Sequence, residues 1–143
     1  FMRKPEAERE RLLERIAEKP RRERQKRLVK LGLDAPDVID AIGVYARTVE
    51  DMDAALAEKE WLAGDAFSLA DIAMAPYFQT LFQFGWTEMY ERLPRVADWY
   101  ARVVARESYQ RGVAADFSAE RLAELKALGE PALGRIREHL AAA

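Results

Sequence analysis

The 143-residue sequence contains no cysteine and only one histidine, His139. The absence of cysteine excludes disulfides, a thiolate nucleophile and cysteine-based metal sites. A single imidazole is too few for a histidine metal cluster and argues against a Ser/His catalytic pair. We therefore expect no metal site in this chain.

Long apolar runs are also missing. Nothing in the sequence approaches the run of about 18 apolar residues that a membrane-spanning helix needs, and no signal-peptide pattern is present. We therefore expect a cytoplasmic protein that does not associate with membranes. The chain opens on Phe1-Met2 and not on an initiator Met, which indicates a piece of something longer. The length fits one domain, residues 1–143, and a composition of 50% hydrophobic and 34% charged residues is typical of a globular protein.

The alternation of apolar and polar residues that marks a β-strand is absent, whereas Ala, Leu, Glu, Arg and Lys are abundant and favour helices. The sequence therefore predicts an all-α fold, a compact bundle of about six or seven helices. A first helix is predicted over about 5–31, with a kink or break at Pro20. A second, capped by Asp34 or Asp37, should run to about residue 59. Its apolar residues recur with heptad spacing, typical of lengthwise packing against a neighbour: Val38, Ile42, Tyr45, Val49, Met52 and Leu56.

The segment after this helix has an unusually complete helix start. Ser68 is predicted to cap the next helix by accepting from the backbone N–H of Asp71, while the Asp71 carboxylate accepts from the N–H of Ser68. This reciprocal arrangement is a capping box, and we expect Asp71 to be buried and ionised within it. Phe67, just before the cap, can pack on Ile72 as a hydrophobic staple.

Two later helices are predicted to build the core. The helix near 69–84 is apolar on nearly all sides, which predicts a buried position in the centre of the domain. Pro94 opens the following helix, in which Trp99 and its apolar neighbours face inward. Further short helices are expected in the tail, with Ser118 as a cap and a break at Gly129.

These motifs resemble a known family. Residues 61–73, Trp-Leu-Ala-Gly-Asp-x-Phe-Ser-Leu-Ala-Asp-Ile-Ala, resemble the segment that enters the central helix of the all-helical C-terminal domain of glutathione S-transferases. Residues 93–103, Leu-Pro-Arg-Val-Ala-Asp-Trp-Tyr-Ala-Arg-Val, are similar to the next helix of that domain. The likeness is strong over about 56–113, except that Arg106-Glu107 stands where the family commonly has Arg-Pro. The C-terminal helices of 116–143 diverge.

The resemblance implies that the function is shared between two domains. In the family, glutathione is the co-substrate and binds mainly to a thioredoxin-like N-terminal domain, which also supplies the residue that activates the thiol. This chain would lack that domain, so we expect no catalytic residue in it and no activity from it alone. The resemblance also implies a homodimer, and a wall for the pocket of a small electrophilic substrate. The positions that match this wall are Arg15, Lys19 and Arg22, although a solvated face of ion pairs is the more economical interpretation of them.

Two other hypotheses remain open. The chain could be a non-catalytic helical module for protein interaction or dimerisation. It could also be an RNA- or translation-associated domain, because residues 1–36 carry 12 Lys/Arg and 7 Asp/Glu and include the basic run 21–27. The net charge of −2 and the lack of aromatic residues in that run argue against nucleic acid. The sequence leaves open which electrophile and which transferase class are involved.

Overall fold

The computed structural model describes residues 4–142, so the Phe1-Met2 start lies outside the described residues. Over that range the chain forms nine α-helices and no β-strand, which confirms the all-α prediction. Seven of these helices have nine residues or more, and α5 and α7 are short. The helices are α1 (Glu6–Glu14), α2 (Lys19–Leu31), α3 (Pro36–Glu58), α4 (Leu69–Phe84), α5 (Glu88–Glu91), α6 (Pro94–Val104), α7 (Glu107–Gly112), α8 (Ala119–Gly129) and α9 (Leu133–Ala141).

The predicted helix over 5–31 is in fact two helices. α1 ends at Glu14 and α2 begins at Lys19, with Pro20 in its first turn. Proline is well tolerated there because the first turn has no intrahelical partner for its N–H. Pro20 therefore starts a helix where a kink was one expectation, and Gly32, with φ 57°, closes α2.

The start of α3 differs from the prediction. Ala35 occupies the N-cap position with no side-chain cap, and Pro36 follows it. Asp37 instead accepts from Arg27 Nε and Nη2 at 3.1 and 3.0 Å, and Asp34 pairs with Arg135. Both carboxylates thus bind cations of other helices, so neither caps α3.

The heptad seam of α3 packs inside the domain. Ile42, Val49, Met52 and Leu56 are buried, and the helix contacts α5, α6 and α9. The seam therefore stabilises the monomer and is not free to form a subunit contact.

Only one side of helix α4 faces the centre of the core. Phe78 is 0% exposed and its ring centroid lies 5.0 Å from that of Trp99 and 5.1 Å from that of Tyr90. On the opposite side, however, Leu69 is 81% exposed. The central placement of α4 is confirmed, but the expectation of burial on nearly all sides is wrong, because no described element covers its outer side.

Two further properties concern only residues 4–142. No helix in this range is both long enough and apolar enough to cross a membrane. The same residues contain no group of three or more His, Asp or Glu side chains that could hold a metal ion.

Candidate functional site

The turn before α4 is a closed backbone loop. Trp61 N donates to Gly64 O at 2.7 Å, and Gly64 N donates to Trp61 O at 3.1 Å. Gly64 has φ 156°, a conformation that residues with a side chain rarely adopt. The turn directs the chain back so that the backbone of Leu62 faces the first turn of α4.

The carboxylate of Asp71 connects this turn to the core. Oδ1 accepts from Leu62 N at 3.1 Å and from Trp99 Nε1 at 2.8 Å. Oδ2 accepts from Ser68 N at 2.8 Å and from Ser68 Oγ at 2.9 Å. Burial of this side chain, which is 0% exposed, raises its pKa, but the hydrogen bonds from Trp99, Leu62 and Ser68 outweigh burial and leave the pKa below its usual value of 3.8. Asp71 is therefore buried and ionised near neutral pH, in a structural role.

The capping box between Ser68 and Asp71 is present. Ser68 Oγ also accepts from Ala70 N at 3.2 Å. Phe67 packs edge-on against Trp61, with ring centroids 5.1 Å apart, while Ile72 is 52% exposed. The sequence missed Trp61 as the partner of Phe67, and the staple of Phe67 on Ile72 stays a prediction.

One side of α4 presents apolar side chains to solvent. Leu69, Ile72 and Tyr77 are 81%, 52% and 52% exposed, and Ala73 and Pro76 are exposed among them. We call these five residues the outer face of α4. Large contiguous patches of exposed apolar surface on globular proteins mark interaction sites. The outer face of α4 is therefore a candidate docking surface.

A cleft of about 510 Å³ opens beside the outer face, between α4 and the connection from α6 to α7. We call it the α4/α7 cleft. Its lining is mostly apolar and includes Phe67, Ile72, Ala75, Val103, Val113 and Phe117. Its volume lies within the range of about 300–1,000 Å³ that small-molecule sites occupy.

Arg106 is the one charged residue in the lining of the α4/α7 cleft. Its guanidinium carbon lies 3.7 Å from the ring centroid of Phe67, and its Nε is buried without a hydrogen-bond partner. Its neighbour Glu107 pairs instead with Arg111, at 3.3 Å. In the sequence, Arg106-Glu107 stands out only as a departure from a family motif, so the position of this cation was not predicted. The sequence alone does not indicate that residues 106 and 67 lie in contact.

A buried polar cluster forms the floor of the cleft. Tyr100 Oη donates to Gln79 Oε1 at 3.0 Å, and Tyr109 Oη also donates to that oxygen. Burial raises the pKa of both hydroxyls above the ordinary value of a tyrosine. Gln79 and Tyr109 both line the cleft, and Gln83, Ser108 and Arg106 are the other polar residues of its lining.

The three predicted substrate-wall residues do not share one helical face. Arg15 follows the end of α1, whereas Lys19 and Arg22 belong to α2. Their spacing of four and three residues would place all three on one face of a continuous helix, but the break between α1 and α2 separates Arg15 from the other two. Arg15 and Lys19 are exposed, while Arg22 Nη1 donates to Ile16 O at 3.1 Å. None of the three lines the α4/α7 cleft, and their role toward a substrate stays a prediction.

The basic run 21–27 is largely neutralised by the chain's own carboxylates. Arg24 and Arg27 both pair with Asp37, at 3.3 and 3.0 Å. Lys26 pairs with Glu14 at 2.6 Å, and Arg22 lies 3.8 Å from the same carboxylate. The interpretation of this surface as a solvated ion-pair network is therefore favoured over a nucleic-acid site.

Comparisons with known proteins match the part of the chain that forms the helical core. The model of the family "Glutathione S-transferase, C-terminal domain" matches residues 34–107, about half of the chain. The glutathione S-transferase hmp2 of Hypomyces subiculosus is 31% identical over 86 residues, covering 58% of this chain and 41% of that protein. GstB of Escherichia coli is 36% identical over 64 residues, 43% of this chain and 29% of that protein. PARB of Nicotiana tabacum is 26% identical over 88 residues, 62% of this chain and 41% of that protein.

The chain thus matches at most about two fifths of the length of these relatives. No solved structure matches significantly. The matched range 34–107 runs from the start of α3 through α4 to the end of α6, and it contains the capping box, the Asp71–Trp99 hydrogen bond and the heptad seam. On this ground the chain belongs to the glutathione S-transferase family, in which it corresponds to the C-terminal domain.

Proposed function

We propose that this chain is the helical half of a glutathione S-transferase and acts with a thioredoxin-like domain of the same protein to conjugate glutathione to small electrophiles. The observation that supports the proposal is the outer face of α4. It is an apolar surface on a helix whose other side is the centre of the core. A helix that is apolar on both sides is expected to be covered on both sides.

The thioredoxin-like domain is the occupant that best fits this surface. The relatives named above are more than twice as long as the segment they share with this chain, so they carry additional chain that the match does not include. In the family that this sequence resembles, that additional part holds glutathione. In this proposal that domain supplies the residue that activates the thiol, whereas this chain supplies shape and apolar surface.

The finer roles follow from the same assignment. Arg15, Lys19 and Arg22 would border the electrophile at the junction of α1 and α2. The α3 seam is occupied inside the monomer, so a homodimer would use the outward surfaces of α1 to α3. The ion pairs of Asp37 with Arg24 and Arg27 connect α2 to α3 on that surface. The protein would act in the cytoplasm.

Affinity for immobilised glutathione tests the proposal. The protein translated from the complete reading frame is compared with the 143-residue chain. We expect the complete protein to be retained, to be eluted by free glutathione and to form a thioether with an aromatic electrophile such as 1-chloro-2,4-dinitrobenzene. The 143-residue chain should do none of these. Retention of the short chain, or inactivity of a folded complete protein, would contradict the proposal.

Sedimentation of the 143-residue chain separates this proposal from a free-standing dimerisation module. If a second copy covered the outer face of α4, the isolated chain would form a dimer that Tyr77→Asp dissociates. We expect the outer face to remain uncovered in the isolated chain, so Tyr77→Asp should leave its sedimentation coefficient unchanged.

A further inference from the structure

The helices α1 and α2 are attached to the rest of the domain by little buried surface. Across the described ranges of these two helices, Leu13 is the one buried residue, and it belongs to α1. The main partner of α1 is α2, and α2 contacts α3 and the turn Gly32–Asp34. Elements that bury few apolar side chains separate from a domain at a lower free energy than its core unfolds. We call residues 6–31 the flap.

An ionic latch holds the flap against α3. Asp37 accepts from Arg27 Nε and Nη2 at 3.1 and 3.0 Å, and Arg24 Nε lies 3.3 Å from the same carboxylate. The side chain of Asp37 is 16% exposed, whereas both arginine side chains are about half exposed. Ion pairs with solvent-exposed partners are screened by salt. The latch is therefore expected to weaken at high ionic strength.

A hinge joins the flap to a fixed part of the chain. Beyond the hinge, His139 Nε2 lies 3.1 Å from Leu33 O, and Arg135 Nε donates to Asp34 Oδ1 at 2.5 Å, so α9 holds this turn in place. Gly32 has φ 57°, and a Cβ placed there would meet no atom within 4 Å. Glycine tolerates a wide range of backbone angles, and hinge motions concentrate at a few residues between fixed elements. Gly32 is therefore the position at which the flap can rotate.

The flap covers an apolar groove. This groove, of about 250 Å³, lies between α2 and the surface formed by α3, the end of α4, α5 and α9. Leu28 lines it from the flap and is half-buried there. Val38, Tyr45, Trp86 and Met89 line it from the opposite side. Movement of the flap away from α3 would expose these four side chains to solvent.

We propose that the flap opens about Gly32 and that the ion pairs of Asp37 control its opening, so that the groove behind it becomes accessible when the latch is released. The flap precedes the matched range 34–107. Its movement requires neither glutathione nor a second domain. Arg15, Lys19 and Arg22 all lie on the flap, so its position would also set that of the substrate wall, a consequence that rests on the proposed function.

Distances between spin labels test the opening on the 143-residue chain. The chain contains no cysteine, so Arg21→Cys on the flap and Asp51→Cys on α3, both at exposed positions, can be labelled selectively. Double electron–electron resonance at low salt should show one main distance. Adding Asp37→Asn, or about 1 M potassium chloride, should raise the population at longer distance by about fivefold or more, because the closed state loses its ion pairs. Asp40→Asn, which alters an exposed carboxylate on the same helix, is the matched control and should leave the distances unchanged.

A second label pair verifies that only the flap moves. Asp51→Cys on α3 and Ala101→Cys on α6 should keep the same distance under all these conditions. Equal distance distributions for Asp37→Asn and Asp40→Asn across the flap would overturn the proposal. A change in the distance between residues 51 and 101 as large as that across the flap would also overturn it, since the whole domain would then have loosened.

Fluorine NMR of protein labelled with 5-fluorotryptophan tests whether the groove is uncovered. Trp86→Phe assigns the resonance of Trp86. We expect Asp37→Asn to increase the shift of this resonance between H2O and D2O and to leave that of Trp99, which is 0% exposed, unchanged. The same solvent isotope shift for Trp86 in Asp37→Asn and Asp40→Asn would contradict the role of the flap as the cover of the groove.

Discussion

The carboxylate of Asp71 provides the sharpest stability prediction, through Asp71→Ala. This substitution removes the acceptor for three donors that cannot easily turn elsewhere: Leu62 N, Ser68 N and Trp99 Nε1. Trp99 is 0% exposed, so its N–H would have no water to donate to. Each orphaned buried donor costs about 1–3 kcal/mol, and Leu62 and Ser68 belong at the lower end because they are only half-buried. We expect a loss of about 3–5 kcal/mol in the free energy of unfolding.

Urea unfolding followed by tryptophan fluorescence measures this loss. Asp65→Ala is the matched control, because Asp65 lies in the same turn and is exposed. A surface substitution of that kind should change stability by at most about 0.5 kcal/mol. If Asp71→Ala and Asp65→Ala unfolded at the same urea concentration, the role assigned to the Asp71 hydrogen bonds would be refuted.

The same carboxylate predicts an acid dependence. The pKa of Asp71 is lowered in the folded state, so its contribution to stability is fully present above the unfolded value of 3.8 and is lost as pH falls through the folded pKa. The wild-type protein should therefore lose more stability than Asp71→Ala when both are unfolded in urea at pH values descending below about 4. Parallel stability curves for the two proteins would contradict an ionised Asp71.

Four further predictions concern the core and its surroundings. Gly129→Ala should destabilise by about 1–3 kcal/mol or more, because a Cβ there would lie 2.1 Å from the carbonyl oxygen of Phe84. Gly134→Ala, on an open surface of α9, should instead stabilise by about 0.5–1 kcal/mol when both variants are unfolded in urea. Burial raises the pKa of Tyr90 to about 12. Spectrophotometric titration of the native protein should therefore show that this phenol is still neutral at pH 11. Ionisation of Tyr90 near pH 10 would contradict its burial. Trp86→Phe should cost about 1 kcal/mol in urea unfolding, since Trp86 Nε1 donates to Gly129 O at 2.9 Å.

Features set by local chemistry could be predicted from the sequence. The capping box at Ser68 and Asp71, the heptad seam of α3 and the proline that opens α6 each depend on residues a few positions apart. The burial of Asp71 was also predictable, because a carboxylate with several donors nearby can remain ionised in the core. These features also lie in the part of the chain that the family model matches.

Features set by distant contacts could not be predicted. Asp34 and Asp37 are good caps in isolation, but Arg135 and Arg27 bind their carboxylates, and one of these cations lies about a hundred residues away in the chain. The α4/α7 cleft has the same origin, since it brings residue 67 next to residue 106. The open side of α4 was missed for a different reason: an apolar sequence predicts that a helix will be covered, but not which part of a protein covers it.

The central claim, that a second domain covers the outer face of α4, is tested most directly by measuring the melting temperature of Leu69→Ser in two contexts. Leu69 is 81% exposed in this chain, and Leu128 on α8, 62% exposed, is the matched control. In the 143-residue chain neither Leu69→Ser nor Leu128→Ser should change stability by more than about 0.5 kcal/mol. In the protein translated from the complete reading frame, only Leu69→Ser should lower the melting temperature, because the second domain would bury Leu69. The expected loss corresponds to about 2 kcal/mol of unfolding free energy, the contribution of one buried leucine side chain. Equal melting temperatures for the two variants in the complete protein would contradict the claim.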